Sequence, residues 1–128
     1  MEEKHFTPGP WKTDERYEDS TEIVDSKGFS HVTAEQCAIL LGWDENFQHW
    51  SDSKEAHRDI SREEQRANAR LIASAPELLE ALQLSLAAMN ELGDILNFHD
   101  MADAETVEKL TPAFEMARAA IAKALGKE

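Results

Sequence analysis

Apolar side chains recur every three or four residues along the second half of the chain: Leu71, Ala75, Leu78, Leu82, Leu86 and Met89, with Ile72 and Leu79 widening the stripe. This is the period of a helix with one face turned to a core, and it places Leu78 and Leu82 in that core. Ser61-Arg-Glu-Glu64 reads as a capping box, and Ser74-Ala-Pro-Glu77 as a second one with Pro76 in the first turn. Running one helix through Pro76 would cost about 3 kcal/mol. The pattern therefore predicts two helices, 61–73 and 75–92, with Gly93 as the stop. A last helix over 104–125 is capped by Asp103 and carries Val107, Leu110, Phe114, Ala117, Ile121 and Leu125 on one side. Pro112 lies two turns inside it, so the residues before Pro112 are expected to form a separate turn. Between the helices, Ile95, Leu96 and Phe98 are expected to fold back onto the core.

The first half has a different rhythm. Residues 11–33 alternate, with Trp11, Thr13, Ile23, Phe29 and Val32 as inward positions. Asp25-Ser-Lys-Gly28 separates Glu22-Ile-Val24 from Phe29-Ser-His-Val32 and reads as a hairpin turn with Gly28 at the positive-φ position. Glu18-Asp-Ser20 reads as the polar turn before it. Cys37-Ala-Ile-Leu-Leu-Gly-Trp43 is the most apolar run and reads as a fourth, buried strand, with one turn of helix as the alternative; Gly42 and Trp43, which follow directly, favour the strand. Residues 44–60 are polar but hold Phe47 and Trp50 close behind Trp43, the pattern of a structured loop or lid. The fold class is α+β: a small N-terminal antiparallel sheet followed by a C-terminal antiparallel helical hairpin. At 128 residues, one domain is expected, with a β-rich part at 7–43, the loop at 44–60 and a helical part at 61–126.

Composition narrows the partners. The net charge of −13 disfavours duplex nucleic acid and anionic membrane and favours a basic partner. No apolar run reaches the length of a membrane span, and the first residues lack the apolar stretch of a signal peptide. With a single cysteine, Cys37, these features lead to the expectation of a cytoplasmic protein without disulfides. The two long apolar stripes exceed what a few short strands can cover, so a homo-oligomer is expected through the helices.

Candidate chemistry is thin. The five histidines make no H-x-x-x-H pair, Cys37 has no C-x-x-C partner, and no phosphate-binding loop or nucleophile elbow is present. No catalytic residue, metal ligand or cofactor is assigned, and an enzyme is not expected. The distinctive feature is positive charge in an acidic chain. Arg58, Arg62, Arg66 and Arg70, four of the six arginines, recur at every fourth position beside Asn68. A helix N-terminus and a planar guanidinium both suit phosphate. Ion pairing with Asp59, Glu63 and Glu64 is the alternative. Trp11 is either a core side chain or a stacking surface for a base.

Arg66-Ala-Asn-Ala-Arg-Leu-Ile-Ala-Ser-Ala-Pro-Glu-Leu-Leu-Glu-Ala-Leu82 resembles the ANARLIAAAPELLEAL signature of a group of small phage and prophage proteins. Gly9-Pro10-Trp11, the Asp25–Gly28 turn and the Ala-rich end Ala119–Gly126 match that group in order and spacing, while 34–58 looks like an insertion. The group is in turn similar to the first Thoeris anti-defence family. The resemblance implies a non-enzymatic sponge that sequesters a cyclic nucleotide immune signal in the cytoplasm of an infected bacterium. On that reading Trp11 stacks on a base, Arg62, Arg66 and Arg70 meet phosphate, and Asn68 binds ribose or base. The alternative is an acidic phage protein that inhibits a host protein by direct contact.

Overall fold

The computed structural model describes residues 5–43, 48–101 and 103–127. The α+β architecture is as the sequence predicts. Strands β1 (Lys12–Asp14), β2 (Ser20–Val24) and β3 (Ser30–Glu35) form an antiparallel sheet in the order β1-β2-β3. Strands β4 (Cys37–Ile39) and β5 (His57–Asp59) make a separate antiparallel pair. Helices α1 (Arg62–Ala73), α2 (Ala75–Phe98) and α3 (Ala104–Ala124) follow. Where one body is expected from chain length, contacts divide the chain into two compact units. Pro8–Ala75 forms one, and the described residues of Met1–Thr7 and Pro76–Glu128 form the other. Helix α1 thus belongs with the strands.

In the sheet unit, Thr13 lies opposite Ile23 and Ile23 opposite Val32, so the three share one face. Helix α1 covers that face with Gln65, Ala69 and Ala73, all buried, and with half-buried Ile72. Ile23 is 1% exposed and packs with Ala69, Ala73, Trp11 and Ala34. The small alanines let the helix lie close to the strands. The Gln65 side-chain amide donates to the Ala34 carbonyl over 2.7 Å and ties helix to sheet. Two inward assignments are corrected: Val32 lies toward the edge of the cover and is 40% exposed, and Phe29, beside the turn, is 66% exposed.

Helix boundaries follow capping rather than glycine. Ser61 accepts from the Glu64 amide as predicted. Ser74 is not an N-cap: it closes α1, its amide reaching Arg70 and Leu71 carbonyls and its hydroxyl donating to the Arg70 carbonyl. Gly93 does not stop α2, which runs on to Phe98. Two residues past Phe98 the chain turns away from the helix axis at Asp100, whose φ of 53° allows Met101 N–H to bond Leu96 O and Asp100 N–H to bond Asn97 O. Asp103 caps α3 by accepting from Thr106 N–H at 2.8 Å. Helix α3 continues unbroken through Pro112, so no separate turn precedes it.

The helical unit holds little dry interior. No residue of α2 is buried, and in α3 only Ala117 is. Leu78 is half-exposed, and Ile95 and Phe98, expected to fold inward, stand in solvent. Among the described residues no single helix is long and apolar enough to cross a membrane.

Candidate functional site

The hairpin that anchors the sheet unit is built around Asp25. Its Oδ1 accepts from the Lys27 and Phe29 amides at 2.9 and 3.0 Å, and its Oδ2 lies 3.0 Å from His31 Nε2. His31 and then the Phe29 and Lys27 amides hold the Asp25 carboxyl below its ordinary range. Gly28 turns the chain with φ 91°. On the uncovered face, Glu22 accepts from the Ser30 and Thr33 hydroxyls, which lower its pKa. These groups are internally satisfied and serve the turn.

The arginine-rich flank lies on α1. Its first residue is Arg62, so Arg58 falls outside the helix, on β5 opposite Ala38. Arg66 is half-buried and its Nε sits 3.2 Å from Glu15 Oε1. Arg62 and Arg70 are exposed. Asn68 is exposed too, but it is two residues from both Arg66 and Arg70 and therefore about 160–200° round the helix from each. The core residues Ala69 and Ala73 occupy the side toward the sheet. Trp11 is half-buried against that core. The five sequence-selected residues thus divide. Trp11 packs half-buried against the core, Arg66 is ion-paired, Arg62 and Arg70 face solvent, and Asn68 stands apart from the arginines. The helical period alone was enough to separate Asn68 from them.

A second region is the one read from the sequence as a buried strand followed by a structured loop or lid. The 37–43 run forms a strand of only three residues, and it is not buried. Beyond it Leu40 is 55% and Leu41 91% exposed, in a turn closed at Gly42 with φ 87°. The tip is held from behind by Leu40 N–H on Ala56 O and Ile60 N–H on Gln36 O. Behind it Trp50 contacts the His49 and His57 rings at 5.2 and 5.6 Å. His57 Nδ1 lies 2.8 Å from Ser53 O and 3.2 Å from Trp50 O, so this nitrogen carries the proton. A shallow cavity of about 470 Å³ is bounded by Ile39, Leu40, Leu41, Trp43, His49 and Trp50. The expectation for Phe47 lies outside the described residues.

The helical unit has an open groove of about 350 Å³ between α2 and α3, lined by Met89, Leu96, Leu110 and Phe114, with the Arg118 guanidinium 5.8 Å from the Phe114 ring centre. Cys37 is half-buried, with its Sγ toward the Ala38 carbonyl. Among the described residues no three His, Cys, Asp or Glu side chains converge as a metal site would require.

A family model described as Salmonella phage P22 protein Y8K6 matches residues 1–128. The chain belongs to this phage protein family. No curated protein and no solved structure matches the chain.

Proposed function

We propose that this phage-family protein acts by binding, without catalysis, and that it holds a host protein by direct contact in the cytoplasm of the infected bacterium. The observation that carries the reading is the Leu40–Leu41 tip: two adjacent leucines in solvent at the end of a braced strand pair, on a chain of net charge −13. An exposed apolar point on a strongly charged surface suits a protein partner. The acidic surface favours a basic one and speeds its approach. The test is capture from host lysate with the wild-type chain and with Leu41→Asp. The expected result is a specific host protein retained by the wild type, released by raised salt, and lost with the variant. Equal capture by both chains would overturn the assignment to the tip.

A second reading keeps the cyclic nucleotide sponge of an anti-defence protein. Arg62 and Arg70 favour it, as exposed guanidinium groups on an acidic chain, Arg62 in the first turn of α1 and Arg70 in its last. Binding would then use Arg62, Arg66 and Arg70, with Glu15 displaced from Arg66, while Trp11 and Asn68 would need other partners. A thermal-shift screen against cyclic nucleotides separates the readings. A stabilising nucleotide whose effect is lost with Arg66→Ala and Arg70→Ala supports the sponge, and no shift with any of them rejects it.

A further inference from the structure

Helix α2 carries two apolar seams, one residue apart. Leu79, Leu82, Leu86, Met89, Gly93 and Leu96 form the first at spacings of 3, 4, 3, 4 and 3, and all six are half-buried. Leu78, Ala81, Ser85, Ala88, Leu92 and Ile95 form the second at the same spacings, and all six are exposed. That spacing is the seam of helices packed side by side. One step along a helix turns about 100°, so the seams point at two different neighbours. Met89, Gly93 and Leu96 of the first line the groove shared with α3. Within the helical unit the second is left uncovered by the described residues, although a helix apolar over so wide an arc is normally a buried one. Between Glu80 and Glu91 α2 has no charged residue.

We propose that the exposed seam of α2 packs antiparallel on the same seam of a second copy, making a two-fold dimer with α2 helices inside and α3 helices outside. The order of side chains selects the occupant. Reversed on itself about its midpoint, the seam sets Leu78 against Ile95, Ala81 against Leu92 and Ser85 against Ala88. Small residues meet at the centre, where crossing helices come closest, and large ones meet at the ends, where they diverge. A contact of this kind needs only one surface, used twice. Leu84 and Phe98, 66% and 86% exposed, flank it. A standard interface takes about 20–30 residues from each side, and the seam with its flanks supplies roughly a third, so the dimer should populate at about 10 µM and above. Each copy carries −13, so added salt should strengthen it by screening repulsion.

This inference does not depend on what the tip of the sheet unit binds, and salt separates the two, since the host complex should weaken as the dimer strengthens. The test is sedimentation of the 14.4 kDa chain between 1 and 100 µM in low and in 0.5 M salt. The expected result is a dimer at the upper concentrations, favoured by salt, and a monomer throughout for Ala88→Glu with unchanged helical content. Orientation is read by oxidising a mixture of Leu78→Cys and Ile95→Cys chains, both with Cys37→Ser. A mixed disulfide pair should dominate over either symmetric pair. A monomer at 100 µM in both salts, a dimer that survives Ala88→Glu, or predominant symmetric cross-links would each overturn the proposal.

Discussion

The two units use hydrophobicity in opposite ways. The sheet unit is poor in large apolar side chains, yet it closes a dry centre around Ile23, because Ala69 and Ala73 let α1 settle onto the strands. The helical unit is rich in leucine, yet among its described residues only Ala117 is buried. Apolar content measures how much surface asks for cover, and close packing depends on whether the neighbours are shaped to supply it. Small residues at the contact do that for α1. For the outer seam of α2 the described residues of the helical unit supply no such cover.

The largest effect that tests this contrast is truncation at the two places. Ile23→Ala should cost about 2–5 kcal/mol, the range for a large buried aliphatic side chain. Leu84→Ala removes a residue that is 66% exposed and should cost less than about 1 kcal/mol in the dilute monomer. Chemical denaturation at sub-micromolar concentration compares them. Equal costs would mean that the helical unit has a core of its own.

Gln65 comes next. It is a polar side chain in the sheet unit's interior, 1% exposed, and its amide meets the Ala34 carbonyl. Gln65→Met keeps the volume and loses the bond, leaving a buried acceptor short of a partner, at a cost of about 1–3 kcal/mol. A Met variant as stable as wild type would show that packing alone holds α1 on the sheet.

Much of this was readable in advance where a local rule governs. The Asp25–Gly28 turn, the Ser61 and Asp103 caps and the break before Pro76 each depend on a few adjacent residues, and each forms as the sequence predicts. Burial was read less well, because it depends on what lies opposite. Leu71 and Leu78 belong to the strongest stripe in the chain and are both more than half exposed, while Gln65 is interior. The pairing of 37–39 with 57–59 joins segments whose polar connection gives no signal for it. For the binding residues the difficulty was geometric. Proximity in sequence grouped Asn68 with Arg66 and Arg70, and the helix turns it away from them.

The smallest effects come from one substitution made in each unit, and they should differ in sign. Both Gly28 and Gly93 have open space where a Cβ would stand, with no atom within 4 Å, so crowding enters neither case. Only the backbone differs. Gly28 has φ 91°, a conformation that a side chain resists, and Gly28→Ala should destabilise the hairpin by about 1 kcal/mol. Gly93 lies inside α2 with ordinary helical geometry, where glycine gives up more chain entropy than alanine on folding. Gly93→Ala should therefore stabilise by about 0.5–1 kcal/mol. The added methyl also faces the groove between α2 and α3, where it meets no atom within 4 Å. Denaturation midpoints of the two variants against wild type check both signs. A destabilising Gly93→Ala would mean that the groove closes tightly at that point in solution, and that α3 already gives α2 the cover assigned here to a second copy.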